Sequence, residues 1–447
     1  MQHYHYIFTG SGLSALMTVY EMILSGKFND KSILLIDENP KKSNDRTWCF
    51  WDENQLFDEI VSKKWPKATF SNEKFSRILE LAPYEYKKIE GVAFYEMVFK
   101  KISEHKNIHF LNQKVVDFSE LGNHCVVKTE AENFTCNKVF NSIYNPKEVT
   151  SQSKYPLIHQ HFVGWFIKSK EPVFTPNCAT FMDFSVELKN NTRFMYIMPT
   201  STTEALLEYT LFSKNLLSKE EYEIGIQNYI TKLGITEYEI IEKEAGNIPM
   251  TCYPFWKNNT RFMYVLPTAT TEALLEYTLF SKNLLSKEEY ETEIQNYITK
   301  LGISEYEIIE KESGNIPMTC YPFWKNNSKN IVQIGSAGGW TKASTGYTFK
   351  NAIKKSKALV QFLKTESDFT KFHKKDKFWF YDLLLLDILN SKNHLGPNIF
   401  SAMFKSGSPE VVFKFLDEET TFLEDLQVIW RCPKMPFIVA LLNRLKP

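Results

Sequence analysis

Two glycine clusters, more than three hundred residues apart, carry the first chemistry this sequence offers. Gly10-Ser-Gly12-Leu-Ser-Ala15 follows the apolar run Tyr4–Thr9 and opens a helical stretch reaching about Ser25. A second apolar run, Ser32–Ile36, then ends in Asp37. Strand, tight turn, helix and strand, with an acid about twenty residues beyond the turn, is the dinucleotide-binding pattern. Gly10 permits the turn, Gly12 lets the backbone approach a pyrophosphate, and Ala15 lets the helix pack closely on the sheet. The helix N-terminus offers amide donors and a partial positive charge to phosphates, and Asp37 would accept hydrogen bonds from ribose hydroxyls. This motif alone does not separate a nicotinamide from a flavin dinucleotide. A glycine turn that only packs a helix on a strand has the same sequence.

The second cluster is Ile334-Gly335-Ser336-Ala337-Gly338-Gly339-Trp340, running on to Gly346-Tyr347. It joins a strand, Asn330–Gly335, to a helix starting near Gly346. An N-terminal βαβ unit and a distant strand–glycine–helix element that meet around one cofactor are typical of flavoproteins. Many flavin hydroxylases place an Asp after the strand glycine to hold the ribityl chain. Ser336 stands there in this chain, so that contact is weaker or made otherwise.

The elements that must position these turns suit an α/β protein. The 447 residues suffice for one large domain with an embedded second layer, or for two domains. Further strands read at 108–118 and 123–145, and strands alternate with short amphipathic helices from about 155 to 325. The last hundred residues read as helical, with the apolar runs Phe378–Leu389 and Pro436–Leu442. Within the middle stretch lies an internal repeat: 189–256 and 257–324 are 68-residue copies that differ at only seven positions. A solenoid needs several divergent units and capping ends, so the pair reads as a tandem duplication of a fold that needs one copy. Basic and acidic side chains balance at 53 each, leaving no surplus for a phosphate backbone, so nucleic acid is excluded as a partner. Seven scattered cysteines with no CxxC pair exclude a zinc site and imply reduced thiols in the cytoplasm. No signal peptide and no membrane-spanning run are expected. Aromatic residues reach 15%, which an aromatic core or a long apolar pocket would equally explain.

The strings Asp45-Arg46-Thr47-Trp48-Cys49-Phe50-Trp51, Phe181-Met-Asp183-Phe184, Glu204-Ala-Leu-Leu-Glu208-Tyr-Thr210 and the GSAGGWTKASTGYTFKN run from Gly335 together resemble the bacterial-type lycopene β-cyclases. The resemblance covers the chain apart from the extra repeat. It implies a Rossmann-type FAD-binding domain with an inserted mixed-sheet substrate domain and a helical C-terminal region. The expected division is 1–150 with 328–370 for the cofactor, 151–327 for the substrate, and 371–447 for the helices. It also implies FAD used in its reduced form without net redox change, NAD(P)H as electron donor, and lycopene as substrate.

The family's acidic motif, Leu-Glu-acid-Thr, maps onto Leu207-Glu208-Tyr209-Thr210 and again onto Leu275-Glu276-Tyr277-Thr278. The resemblance thus makes Glu208 or Glu276 the acid that protonates the terminal double bond. Tyr at the second acidic position sets aside any mechanism needing two adjacent carboxylates. An alkene is a very poor base, so the acid must be kept protonated by apolar burial. Of the two, Glu208 is favoured, with 257–324 as a partly displaced insertion. Asp183 is a candidate for the base that removes the final proton. Arg46 binds flavin phosphate or ribityl oxygens, or pairs with Asp45. Trp48, Phe50 and Trp51 wall the pocket, and His161 is structural. A flavin monooxygenase or an isoprenoid reductase would share the scaffold, and so would a cofactor-binding protein without activity. An insoluble substrate must come from a bilayer, so the expected location is cytoplasmic and peripheral to the inner membrane; Phe378–Leu389 and Met435–Leu442 fit interfacial helices, and buried core helices predict much the same pattern.

Overall fold

The computed structural model describes residues 1–55, 57–169, 175–184, 192–213, 217–246, 260–267, 273–280, 317–373 and 375–445. Its first sheet is seven-stranded and mixed. Gln2–Thr9 lies between Ile33–Asp37 and Asn133–Asn141, parallel to both. Ile108–Asn112 extends the parallel part beyond Ile33–Asp37, and the distant Ile331–Gln333 pairs with the end of Asn133–Asn141. His124–Thr129 and Val115–Leu121 complete the sheet in antiparallel fashion. Side chains alternate between two buried faces, as strands covered on both sides require. Phe8, Leu35 and Phe140 pack with Leu16 and Val19 of the Leu13–Ser25 helix, Val98 of Gly91–Ser103 and Leu359 of Phe349–Phe362. Ile7, Leu34, Cys125 and Val139 face the other way.

The second sheet has eight strands. Tyr238–Gly246, Ile158–Ser169, Glu204–Ser213, Thr192–Pro199, Cys178–Asp183, Lys67–Asn72 and Phe75–Glu80 follow in spatial order, and Pro317–Met318 pairs with the start of Ile158–Ser169. Its two faces bury different partners. Leu207, Tyr209 and Leu211 pack on Tyr222, Ile226 and Tyr229 of the Lys219–Lys232 helix. Leu206, Phe194, Tyr196 and Phe181 face the core shared with the C-terminal helices. Thr47–Asp52, Glu85–Glu90 and Val61–Trp65 form a small third sheet, which the sequence reading left unassigned.

The repeat enters this architecture unevenly. The first copy supplies Thr192–Pro199, Glu204–Ser213, the Lys219–Lys232 helix and Tyr238–Gly246. The second copy supplies Pro317–Met318, and its Cys320 and Phe323 are buried in the core. Of the insertion expected to be partly displaced, 257–324, the end belongs to the second sheet. The second copy's Thr260–Pro267 and Ala273–Phe280 pair with each other as a two-stranded sheet, in the same register as their first-copy counterparts.

Of the two readings of Phe378–Leu389, the interfacial one is corrected. Lys377–Ser391 is a core helix with Phe378, Leu383, Leu384, Leu386, Ile388 and Leu389 buried. It can be buried because Asp382, its interior charge, meets the Lys342 ammonium at 2.8 Å. Among the described residues no helix is long and apolar enough to cross a membrane.

Candidate active site

The two glycine clusters meet where the parallel strands of the first sheet end. Gly10 has a φ of +93°, and a Cβ there would lie 2.3 Å from the Ser142 hydroxyl oxygen, so only glycine lets the two strand ends close together. Gly335 lies against Ser14, in the first turn of the Leu13–Ser25 helix. Gly338 and Gly339 belong to the tight turn that follows, where the Trp340 amide donates to the Gly335 carbonyl at 2.9 Å. Ser336 lies inside that turn, and Gly346 closes the next one by donating to the Lys342 carbonyl at 2.8 Å.

The site fits a dinucleotide on three observations. A Cβ built on Gly12 meets no protein atom within 4 Å, so the space beside it would be filled by any larger side chain. Gly12 caps the helix with no side-chain hydrogen bond, and the first turn holds no acid that would repel a phosphate. The Thr345 hydroxyl, in the second glycine segment, is buried without a hydrogen-bond partner among the described residues. Ala15 is fully buried between helix and sheet. Asp37 accepts from the Ser11 amide at 2.6 Å and the Ser11 hydroxyl at 3.0 Å, which fixes its carboxylate beside the turn. Arg46 donates to the Asp45 carbonyl at 2.7 Å, while the Asp45 carboxylate accepts from Tyr95.

Glu208 stands on the core face of the second sheet, in register with Tyr196 on one neighbouring strand and Gly164 on the other. It is buried, and the Thr210 hydroxyl two residues on donates to its Oε1 at 2.6 Å. Three buried phenols surround it: Tyr86 from the small sheet, Tyr196, and Tyr347 from the second glycine segment. Burial pushes all three hydroxyls well above the ordinary phenol range, and the nearby Glu208 charge adds to the rise. Aromatic rings close the face. Trp51 meets Tyr347 edge-on at 4.7 Å, and Phe181 meets Tyr86 at 5.4 Å and Tyr196 at 6.4 Å. The Cys49 thiol reaches the Met198 sulfur at 3.5 Å, tying Thr47–Asp52 to the second sheet.

A buried ionic network holds the segment that carries Tyr347. Lys342 pairs with Asp382 at 2.8 Å and Glu418 at 3.1 Å. Burial alone would depress its pKa, yet the two carboxylates outweigh burial and keep it cationic. Asp417 next door accepts from the Trp51 indole at 2.8 Å and from Lys350 at 2.6 Å.

The structure thus brings Glu208 together with Trp51 of the RTWCFW string and Tyr347 of the glycine segment. Trp48 and Phe50 pack instead on Phe349, inside the first-sheet core. Asp183 is not brought to Glu208: it pairs across the strands with Met195 and accepts from Tyr229 on the helix-covered face. Glu276 is placed by its backbone in the separate hairpin, opposite Tyr264. The side chains of His161 and Glu276 lie outside the described residues. Tyr86, Tyr196 and Lys342 were missed as site residues: Tyr86 and Lys342 come from elements remote in sequence from Glu208, while Tyr196 is its direct partner across the hairpin. The one available signal was Lys342, a charge inside an otherwise uncharged glycine-rich run.

Against known proteins, the family model described as lycopene cyclase protein matches residues 6–260 and 253–442. The chain belongs to this family. Each matched stretch holds one copy of the repeat. A lycopene beta-cyclase from Pantoea ananas is 23% identical over 260 residues, which is 56% of this chain and 63% of that protein's length. The fold is shared with solved structures of low sequence identity. The flavin-dependent brominase Bmp2 is similar with a TM-score of 0.54 at 12% identity, over 93% of this chain and 94% of its own. A geranylgeranyl bacteriochlorophyll reductase-like protein from Thermoplasma acidophilum is similar at 0.52 and 11% identity, over the full length of both chains. These two likenesses bear out the Rossmann-type α/β fold class with its second sheet and helical C-terminal region.

Proposed function

We propose that this chain is a lycopene β-cyclase, which closes the ψ-ends of lycopene into β-ionone rings by way of γ-carotene to β-carotene. The observation that carries the reading is the buried face where Glu208 stands among Tyr86, Tyr196, Tyr347, Trp51 and Phe181. Glu208 gives its proton to the terminal double bond and leaves a tertiary carbocation. A neighbouring double bond attacks that centre and closes the ring. Loss of a ring proton then sets the β double bond, so no atom or electron is gained or lost. Because Asp183 lies on the other face of the sheet, we assign the return of that proton to the Glu208 carboxylate. Thr210 orients the carboxyl group, and the three protonated phenols offer hydrogen bonds to the carboxylate while it exists. The aromatic faces of Trp51 and Phe181 attract the cation, at about 0.5–2 kcal/mol each.

The dinucleotide would be FAD, held by Gly10, Gly12, Ala15 and Asp37 on one side and by Gly335, Ser336, Gly338, Gly339 and Gly346 on the other. Arg46 stands near enough to Asp37, through the Lys41 ammonium that lies between Asp37 and Asp45, to serve the same group. Bound in its reduced form, FAD supplies negative charge that favours a nearby cation. NAD(P)H keeps the flavin reduced and is not consumed in proportion to product.

The test is anaerobic turnover of dispersed lycopene by the flavin-loaded protein, with the pigments separated by chromatography. Cyclic product is expected without oxygen once the flavin is reduced. An oxygen requirement, or NADPH oxidised one-for-one with product, would overturn the reading in favour of a monooxygenase or an isoprenoid reductase.

A further inference from the structure

The last two helices show their apolar faces to the outside. Along Phe422–Arg431 the exposed positions are Phe422, Leu423, Leu426, Ile429 and Trp430, a single stripe at helical spacing. Along Lys434–Leu445 they are Met435, Ile438, Val439, Leu442 and Leu445, again one stripe. Trp430 is 75% exposed, Leu423 71%, and Met435 67%. A monomeric soluble surface rarely leaves so continuous an apolar patch uncovered.

The charges around the patch say what covers it. From Leu426 to Leu445 the sequence has no acidic residue and three basic ones, of which Arg444 is paired with Asp387 at 2.6 Å, leaving Arg431 and Lys434 as the cationic rim in a chain of zero net charge. The two acids of the first helix are turned away or paired. Asp425 is fully buried and bridged to Lys377 at 2.6 Å, and Glu424 caps its own helix and meets Lys414 at 3.2 Å. The Lys434 ammonium lies 4.6 Å from the centre of the Trp430 ring. An indole beside a lysine, on helices of ten and twelve residues, suits a layer of headgroups above acyl chains. A twofold contact with a second copy of this chain would set like charges against one another.

We propose that the outward faces of Phe422–Arg431 and Lys434–Leu445 dock on an anionic lipid surface. The inward faces of the same helices, through Val428, Cys432 and Ala440, join the core that holds Trp51, Phe181 and Tyr196. Phe404 and Phe413, on the helices against which Phe422–Arg431 packs, lie between the pair and Trp51 and Phe181. The surface stands independently of the cyclase reading, which adds only a reason for having it.

The experiment is co-sedimentation of the flavin-loaded protein with vesicles of phosphatidylcholine, with and without phosphatidylglycerol. The wild type is expected to bind the anionic vesicles at least tenfold better than the neutral ones. Leu423→Ser with Trp430→Ser should lower that binding at least tenfold while flavin content stays unchanged, and Lys434→Glu should remove most of the preference for anionic lipid. The proposal is overturned if the wild type does not sediment with vesicles, or if the double variant binds as well as the wild type. It is also overturned if the wild type forms a dimer that the double variant abolishes. Vesicle binding without any cyclic product would sink the cyclase reading and leave the surface standing.

Discussion

Gly12 and His373 each set a measurable property by what lies around one atom. A valine at Gly12 meets no protein within 4 Å of its Cβ, so Gly12→Val should fold with an unchanged apoprotein melting temperature. It should nonetheless lose FAD, because the branched side chain takes the place of the pyrophosphate. Full flavin retention, read from the absorbance of the purified protein, would make the turn purely structural. His373 stacks on Trp324 with ring centres 3.8 Å apart and planes within 4°. Burial, helped by the Lys355 and Lys375 charges, holds its imidazole down at about 4 from an ordinary 6.5. The unfolded chain takes this proton at a higher pH than the folded one, so the contribution is whole above about 6.5 and is lost as pH falls toward about 4. His373→Phe keeps the stacking and should flatten that part of the melting-temperature profile. A variant profile parallel to the wild type across the window would mean that His373 titrates normally.

At the scale of elements the question is which copy builds the second sheet, and the seven differences decide it. Gly225 lies under Tyr209, where a Cβ would come within 2.6 Å of the ring, and the second copy carries Glu293 at that position. Ser201 accepts from the Glu204 amide at 3.0 Å in the hairpin turn, and the second copy has Ala269 there. Gly225→Glu should therefore destabilise the fold by about 1–3 kcal/mol, as overpacking does, and depress cyclisation with it. Glu208→Gln should abolish most cyclisation, since glutamine keeps the shape without the proton, while Glu276→Gln should leave it nearly intact. Chromatography of the pigments checks both, and the reverse pattern would move the site to the second copy. The alternation of strands and short helices between about 155 and 325 was legible in the sequence, because alternating apolar residues are a local signal. The meeting of Tyr86 and Tyr347 with Glu208 was not, because it needs elements from three separate regions of the chain. Nor did the sequence separate the buried Lys377–Ser391 helix from the exposed Phe422–Leu445 pair, as both are apolar. What distinguishes them is a single buried lysine, Lys342, supplied from a distant loop.

Taken whole, the molecule is built on two large sheets and a helical cap, and its cofactor end was the more legible half. A βαβ unit is contiguous, so its strand, turn, helix and acid were all readable in the first forty residues. The second sheet borrows Lys67–Asn72 and Phe75–Glu80 from the N-terminal part, a crossing that no local pattern announces. Among the described residues its first-copy part ends at Gly246, and its next strand, Pro317–Met318, belongs to the second copy. Deleting residues 247–314 removes one repeat length and restores a continuous single-copy sequence. That shortened chain should fold, keep its flavin and cyclise with a melting temperature no lower than that of the full chain. Loss of folding, followed by circular dichroism, would show that the extra copy has become structural.

The changeover after Gly246 also sorts the chain by what selection can see. Every one of the seven differences lies before it, so the tail taken from the second copy is letter-for-letter the tail the first would have given. Inheritance is blind to that substitution. A change at 192–199 or 204–213 meets the second sheet, whereas the same change at 260–267 or 273–280 falls in the separate hairpin. Glu293 and Ala269 follow this rule: the residues least tolerable at Gly225 and Ser201 stand in the second copy. Relaxed constraint should therefore let 257–313 drift in descendants of this gene while 192–246 stays fixed, and the pair will cease to look like twins from one side only.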